Sequence, residues 1–467
     1  MTAISWQKEV EKRKEKILED TQGLLKIPSI LDEFNGTEGA PFGPDIFKAL
    51  SYLLDLGKES GMTAKNVNGY AGHLEMGSGE ELVGILCHVD VVPAGEGWSV
   101  DPFGAEIKDG KIYARGAIDD KGPTMAAFYA MKIIQELKLP LTKRVRMIIG
   151  CDEESNWQCV RHYFQNEEMP NFGFAPDADF PIINAEKGIF DVEFTLSGDT
   201  QSADGLQLIS FQSGQRLNMV PDRAYAKITG RDLESIKEAF ANYAEKKGIQ
   251  SQSFIENGEL TLQTEGKSAH GSTPEIGINA GIELAEFLNG YTFTGPEKVF
   301  LSLLEDVTGE YTGNKLGIAA EDQASGKLTV NAGVMKFTRA EGGRIGLNIR
   351  YPVTHNSEEI ENTLLQKAEK DNWVMKVIEN NPPNYVDEKH ALIKTLQKVY
   401  EEQTGEKGDL IAIGGGTYAR SLNTGVAFGA LFPGREDVAH QKDEYMYVDD
   451  LLRAAAIYAQ AIYELAK

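Results

Sequence analysis

Hydrophobic residues follow two kinds of pattern along this chain, and the first kind predicts buried strands. The runs at residues 82–87 and 145–151 are short and mostly apolar, which is typical of strands covered on both faces. A helical run from Thr124 to Lys138 lies between them. Strands and helices that alternate in this way predict an α/β fold, with a mixed, largely parallel sheet flanked by helices.

The second pattern, in which polar and apolar residues alternate, begins near residue 187. The segments Phe190–Phe194 and Leu260–Gln263 show it, and it indicates a sheet with one face in water. Three helical runs lie among these strands, at Leu233–Lys247, Asn279–Leu288 and Glu358–Lys370. This part of the chain is therefore expected to form an α+β domain.

A linker at Pro382 and Pro383 ends the alternating region, since prolines interrupt both helices and sheets. Buried apolar runs return after it, and the chain ends in a predicted helix, Asp449–Ala466. We therefore predict a discontinuous main domain of residues 1–186 and 382–467. The α+β domain of residues 187–381 is inserted into it.

Composition excludes several classes of partner. The chain has 47 Lys and Arg against 71 Asp and Glu, a formal net charge of −24, so we expect neither nucleic acid nor a membrane as a partner. No apolar run is as long as a membrane span, and the charged start, Lys8 to Glu15, is unlike a signal peptide. The three cysteines are few and odd in number, which predicts free thiols in a reducing cytoplasm.

Side chains able to bind a metal follow the predicted buried strands. His88 and Asp90 come at the end of the first run, and the triplet Asp152–Glu153–Glu154 follows the second. Open α/β sheets place ligands at the carboxyl ends of their strands, and adjacent carboxylates repel one another unless a cation lies among them. Taken singly, the pair also fits an ordinary hydrogen bond, and the triplet fits a solvated turn.

Three further candidates complete a ligand set. Asp119 precedes the helical run, Asp177 follows an apolar segment, and His440 lies shortly after the apolar run at residues 426–432. Two imidazoles and several carboxylates suit zinc or manganese. Two divalent ions would balance the charges of Asp119, Asp177, Glu154 and a hydroxide, which leaves Glu153 for another task.

The chain resembles the co-catalytic di-zinc exopeptidases, the group that contains carboxypeptidase G, carnosinases and succinyl-diaminopimelate desuccinylase. Within that group it is most similar to the PepV-type bacterial dipeptidases. The resemblance extends from end to end and is carried by five motifs in order: His88-Val89-Asp90, Arg115–Gly122, Asp152-Glu153-Glu154, Pro176-Asp177 and the late His440.

This resemblance implies a role for each residue of the metal site. Asp119 would bridge two divalent ions, zinc or manganese, with His88 and Asp177 completing one site and Glu154 and His440 the other. Asp90 would orient His88, and Glu153 would act as the general base. The peptide bond between Asp119 and Asp120 would be cis.

The resemblance also implies that the inserted domain is a lid that carries substrate-binding residues. His270 would donate to the developing oxyanion, whereas the residue pattern alone fits a histidine in a capping loop. Arg350 would bind the substrate carboxylate, although a surface arginine is the simpler explanation from sequence. Asn218 and the glycine-rich loop would assist it, although the loop also fits a tight turn; its residues are Gly414, Gly415, Gly416 and Thr417.

The function implied is that of a metal-dependent dipeptidase of broad specificity. Because the long lid takes the place of a partner subunit in PepV-type enzymes, the chain would be active as a monomer. An N-acyl-amino-acid hydrolase, such as a deacylase or a desuccinylase, would use the same metals and is the main alternative. A binding protein that kept only the scaffold is a second alternative, against which the retention of Glu153, His270 and every ligand position argues.

Overall fold

The computed structural model of the chain describes residues 4–199 and 205–467. These residues form two units, each with its own core. The first unit contains the described residues up to Ala185, together with Tyr385–Ala412 and Gly416–Lys467; the second contains Glu186–Asn384 and Ile413–Gly415. Sequence patterns gave no sign that the short segment Ile413–Gly415 groups with the insert.

The helices of the described part of the chain vary from one and a half to five turns. They are α1 Trp6–Glu11, α2 Lys14–Leu25, α3 Pro44–Glu59, α4 Lys121–Glu136, α5 Gln158–Asn166, α6 Leu233–Lys247, α7 Ala280–Asn289, α8 Gly295–Glu305, α9 Ser357–Lys370, α10 Ala391–Thr404 and α11 Val448–Ala466.

The strands differ in length between the two units: the longest, with ten residues each, lie in the second unit, whereas no described strand of the first unit exceeds seven residues. They are β1 Thr63–Val67, β2 Ala71–Gly77, β3 Leu82–His88, β4 Glu106–Lys108, β5 Lys111–Tyr113, β6 Arg144–Gly150, β7 Phe172–Ala175, β8 Ala178–Asp179, β9 Ile182–Glu186, β10 Gly188–Ser197, β11 Gln207–Ser213, β12 Arg223–Thr229, β13 Gln250–Glu256, β14 Glu259–Glu265, β15 Glu321–Asp322, β16 Gly326–Lys327, β17 Thr329–Thr338, β18 Gly342–Tyr351, β19 Val374–Asn381, β20 Asn384–Tyr385, β21 Leu410–Ile413, β22 Gly425–Ala427, β23 Ala430–Leu431 and β24 Tyr445–Tyr447.

The first unit is built on a nine-stranded mixed sheet with the order β1-β2-β6-β3-β7-β22-β9-β20, and β21 pairs with β9. Strand β3 runs parallel to β6 and β7, and β22 runs parallel to β7, whereas β1, β2 and β6 pair antiparallel. All seven residues of β3 are buried. Because the helices α4 and α11 pack against each other and against β3, the apolar run predicted as a buried strand is covered.

The second unit is built on an eight-stranded sheet with the order β13-β14-β12-β11-β17-β18-β10-β19, whose neighbouring strands pair antiparallel. Helices α6, α7, α8 and α9 contact its strands and bury Phe240, Phe287, Phe300 and Trp373 in one apolar cluster. Alternating exposure holds along β12, but β18 is buried on both faces over Ile345–Tyr351. The expectation of one wet face is therefore wrong for the centre of the sheet.

Helix α8 was not predicted from the sequence. It begins at Gly295 and Pro296, a favourable helix start, and buries Phe300, Leu301, Leu303 and Leu304. Among the described residues, no helix combines the length and the hydropathy needed to cross a bilayer.

Candidate metal centre

Five side chains of the first unit converge although they come from five separate segments of the chain. Three of these segments lie at the carboxyl ends of β3, β6 and β7, which are neighbours in the sheet, so these ends meet at one edge. The other two are the loop before α4 and the loop between β23 and β24. The five residues are His88, Asp119, Glu154, Asp177 and His440.

The carboxylate of Asp119 lies between the two histidines. Its Oδ1 is 3.1 Å from Nε2 of His88, and its Oδ2 is 3.0 Å from Nε2 of His440. Asp177 Oδ2 lies 3.8 Å from the first imidazole, and Glu154 Oε2 lies 3.0 Å from the second. Two groups of possible ligands therefore form, and they share Asp119; in each group the ligand atoms lie within 4.8 Å of one another.

The two histidines differ in their access to solvent. The His88 side chain is 0% exposed, whereas the His440 side chain is 52% exposed. His88 is held on both sides, because its Nδ1 lies 3.0 Å from the main-chain carbonyl of Asp90 and its backbone N–H donates to Asp120 at 3.2 Å. In the neutral tautomer with the proton on Nδ1, the lone pair of Nε2 points toward Asp119. The peptide bond between Asp119 and Asp120 is cis.

Asp90 makes contacts that the sequence did not predict. Its carboxylate accepts the backbone N–H groups of Glu153 and Glu154, at 3.1 and 3.0 Å. The expected contact with His88 is made mainly by the main-chain carbonyl of Asp90, while the nearer carboxylate oxygen is 3.5 Å from Nδ1. One residue thus fixes both the first imidazole and the backbone of the acidic triplet.

The three adjacent acids after β6 have different surroundings. Asp152 is buried and accepts the backbone N–H groups of Asn156 and Gln158, so it caps the start of α5. Glu154 belongs to the ligand group of His440. Glu153 belongs to neither group, and burial, followed by the charges of Asp177 and Glu154, raises the pKa of its carboxyl well above the usual range.

The crowding of acids governs the charge of the whole cluster. Burial and the neighbouring Asp119 raise the pKa of Asp177 to about 6. Hydrogen bonds to Asp119 and Glu154 raise the pKa of His440 to about 10. Carboxylates that hold protons on nearby imidazoles would equally stabilise divalent cations, and the nitrogen and oxygen donors suit zinc or manganese. The side chains present therefore fit a centre for two such ions.

The predicted substrate-binding residues of the insert also lie near one another, within the second unit. Arg350 is 4% exposed, and it donates to Asn348 Oδ1 at 3.0 Å and to the carbonyl of Gly414 at 3.1 Å. The backbone N–H of Gly271, next to His270, donates to the carbonyl of Asn218 at 2.7 Å. The simpler interpretation of Arg350 as a surface arginine is wrong.

The surroundings of His270 define its tautomer. Burial and the charge of Arg350 lower the pKa of its imidazole, which favours the neutral ring. The backbone N–H of Ser272 donates to Nδ1 at 3.3 Å, and the Ser272 hydroxyl lies 2.7 Å from the same atom. Because Nδ1 accepts, the proton of the neutral ring lies on Nε2.

The glycine-rich loop has mixed properties. Gly415 belongs to the second unit, while Gly416 and Thr417 belong to the first. The hydroxyl of Thr417 accepts from the backbone N–H of Ala419 at 3.3 Å, so it caps the short 3₁₀ helix that follows. A Cβ at Gly416 would lie 2.3 Å from Nη1 at the end of the flexible Arg420 side chain, and a Cβ at Gly415 would meet nothing within 4 Å, so packing explains neither glycine.

Comparison with known proteins places this arrangement among peptidases. The family model of peptidase family M20/M25/M40 matches residues 84–464. "Putative dipeptidase YtjP" of Bacillus subtilis is 53% identical over 466 residues, covering 99% of this chain and 100% of the relative. A "Putative dipeptidase" of Staphylococcus epidermidis is 42% identical over 465 residues, covering 98% of this chain and 99% of the relative.

Solved structures share the fold at low sequence identity. Human carnosine dipeptidase 1 superposes with a TM-score of 0.55 at 14% identity, with 98% of each chain covered. The aminoacylhistidine dipeptidase of Vibrio alginolyticus superposes with a TM-score of 0.59 at 12% identity, with 97% of this chain and 96% of that chain covered. These likenesses, with the family match, confirm the predicted fold class and the predicted family resemblance.

Proposed function

This chain belongs to peptidase family M20/M25/M40 and is a metallopeptidase, and we propose that it hydrolyses the peptide bond of unblocked dipeptides with broad specificity. The observation that carries the proposal is the placement of Asp119, whose two carboxylate oxygens face two different histidines at 3.1 and 3.0 Å. Relatives that cover nearly the whole chain bear the name "Putative dipeptidase", which supports the choice of substrate.

Each candidate ligand has a place in the proposed two-ion centre. His88 and Asp177 would hold one ion, Glu154 and His440 the other, and Asp119 both. Two Zn²⁺ ions, or two Mn²⁺ ions, would supply Lewis acidity, which lowers the pKa of water and polarises a peptide carbonyl.

We assign proton transfer to Glu153. Glu153 is half-buried and stands next to the ligand Glu154, but it belongs to neither ligand group, so its carboxylate is available for proton transfer. A carboxylate oxygen of Glu153 would take a proton from the attacking water and then deliver it to the nitrogen of the leaving amine. Asp90 would keep this carboxyl in place through the backbone N–H of Glu153.

Residues of the second unit would bind the substrate at two points, the carbonyl oxygen of the scissile bond and the C-terminal carboxylate. With its proton on Nε2, neutral His270 can donate to the oxygen of the substrate carbonyl as negative charge develops there. The guanidinium of Arg350 would bind the C-terminal carboxylate of the dipeptide, with Asn218, Gly415, Gly416 and Thr417 as further contacts. Binding of that carboxylate would exclude longer peptides, because a third residue would displace it.

The proposal is tested with the metal-free chain reconstituted with Zn²⁺ or Mn²⁺ and assayed against dipeptides, tripeptides and N-acyl-amino acids together. We expect kcat/KM for dipeptides to exceed that for tripeptides by at least about 10-fold, since a third residue displaces the carboxylate and forfeits a charge-assisted contact. N-acyl-amino acids keep that carboxylate but lack the free amino group, so they test the amine side of the site, and we expect them to be poorer substrates than dipeptides. A preference for N-acyl-amino acids would replace the dipeptidase assignment by that of an acyl-amino-acid hydrolase.

We also propose that the enzyme acts as a monomer in the cytoplasm. The three cysteines are all free and buried, which suits a reducing compartment. If one chain supplies every catalytic residue, mixing an inactive His270→Ala chain with an inactive Glu153→Gln chain should restore no activity. Recovered activity would show that one subunit lends its histidine to another.

A further inference from the structure

A buried ion pair connects two of the segments that carry candidate metal ligands. Nη1 of Arg115 lies 2.5 Å from Oε2 of Glu444, and the two residues are 1% and 0% exposed. They are 329 positions apart in the sequence. Arg115 lies four residues before Asp119, and Glu444 lies four residues after His440.

Both members of the pair also hold the backbone near a ligand. The second carboxylate oxygen of Glu444 accepts the backbone N–H groups of Ile118 and Asp119, at 3.0 and 3.3 Å. Nη2 of Arg115 donates to the main-chain carbonyl of His440 at 3.3 Å and to that of Ala94 at 3.3 Å. The pair therefore ties the segment of the shared ligand to the segment of the exposed ligand.

The backbone of His440 depends on such support. Its φ is +61°, in the left-handed region that residues with a side chain seldom adopt. A residue stays in that region when its surroundings determine the conformation, and the Arg115 guanidinium holds the carbonyl of this residue.

Strand pairing brings the two charges together. Tyr113 of β5 pairs with Tyr445 of β24, and the backbone N–H of Ala114 donates to the carbonyl of Glu444 at 3.1 Å. The ammonium of Lys111 lies 3.6 Å from the centre of the Tyr445 ring and reinforces the same pairing. The register of two short strands thus fixes the position of Arg115 relative to Glu444.

We propose that Arg115 and Glu444 are positioning residues of the metal centre, which set the distance between the Asp119 carboxylate and the His440 imidazole. This inference rests on the proposed two-ion centre. An ion pair can often be replaced by apolar residues without loss of stability, but apolar side chains could not hold the backbone of the ligand segments. Lysine could not replace Arg115 either, because one ammonium cannot reproduce the geometry of a planar fork.

The test compares Arg115→Lys with Arg146→Lys. Arg146 is also buried and is paired to Glu75 at 2.6 Å, and its further contacts are to Tyr163 and Glu167, which lie outside the candidate metal centre. The metal-free proteins are titrated with Co²⁺, followed by calorimetry and by the visible absorption of the bound ion. Comparing the absorption spectrum of a His440→Ala variant with that of the parent identifies the bound ion that depends on this histidine.

We expect the parent protein to bind two Co²⁺ ions. Arg115→Lys should lower the affinity for the His440-dependent ion by about 10- to 100-fold and change the absorption spectrum of that ion, as is usual when a residue that orients a ligand is lost. The affinity for the other ion, held by the buried His88, should change by less than about 3-fold. The control Arg146→Lys should bind both ions with the affinities of the parent. Near-ultraviolet circular dichroism of the metal-free variants establishes that they are folded.

Glu444→Gln is the second variant, and it carries the test if Arg115→Lys does not fold. It keeps an oxygen for the two N–H groups but removes the negative charge that pairs with Arg115, so the affinity for the His440-dependent ion should fall. Parent affinities for both ions in the folded variants, or equal losses in Arg146→Lys, would overturn the positioning role while leaving the proposed function intact. A parent protein that binds fewer than two ions would overturn the proposed centre itself.

Discussion

Replacing Asp119 with alanine should lower the affinity for both ions of the proposed centre. Asp119 supplies one of the three protein ligands in each candidate group, and its two oxygens face different histidines. Structural zinc sites gain about 10–16 kcal/mol from four ligands, so one ligand contributes about 2.5–4 kcal/mol. That energy corresponds to a loss of about 10²- to 10³-fold in affinity for each ion.

The matched control is Asp179→Ala. Asp179 lies two residues after the ligand Asp177, is exposed, and belongs to neither group. Metal-free proteins are titrated with Zn²⁺ in a calorimeter, and metal content is measured by elemental analysis after gel filtration. The control should retain both ions at parent affinity. If Asp119→Ala lost only one ion, or none, the two ions would not share this carboxylate and the bridging assignment would be refuted.

Three further predictions concern other residues. Glu153→Gln should keep two metal ions per chain while kcat falls by about 10² to 10⁴, and loss of metal in this variant would make Glu153 a ligand instead. Arg350→Ala should lower kcat/KM for a free dipeptide by an amount equivalent to about 2–5 kcal/mol of transition-state stabilisation, and much less for a C-terminally amidated dipeptide. Equal losses on both substrates would contradict carboxylate binding. Burial and the charge of Arg146 lower the pKa of His73 from 6.5 to about 4 in the folded chain. As the pH falls from 6.5 to 4, the unfolded chain therefore takes up a proton at this histidine that the folded chain does not bind. The free energy of unfolding should fall over this range by up to about 3 kcal/mol. Urea unfolding of a His73→Gln variant should show a smaller loss over this range, and an unchanged pH dependence would exclude His73 as its source.

Local patterns predicted the elements that depend on neighbouring residues in the sequence. The apolar run of β3 and the amphipathic helix α6, Leu233–Lys247, lie where they were expected, because burial on two faces and on one face leave different periodicities. Helix α8 was missed, since its short apolar run is compatible with either a strand or a helix.

The metal ligands could be proposed from motifs, but their supporting contacts could not. The triplet Asp152–Glu153–Glu154 looks uniform in sequence, and only the fold separates a helix cap from a candidate ligand. The carboxylate of Asp90 supports the triplet rather than His88 alone, because β6 lies beside β3 in the sheet. Arg115 and Glu444 are paired across 329 positions, a separation at which no periodicity carries information.

The unequal exposure of the two histidines has a consequence for exchange with the surrounding solution. A chelator or a competing metal would reach the proposed ion beside the half-exposed His440 more readily than the one beside the fully buried His88, whose other ligands, Asp119 and Asp177, are only 20% and 13% exposed. The two positions would then equilibrate on different timescales. The exposed position would take its metal from whatever the cell supplies at the time, and a purified sample would contain one slowly exchanging ion beside one whose identity reflects the last buffer.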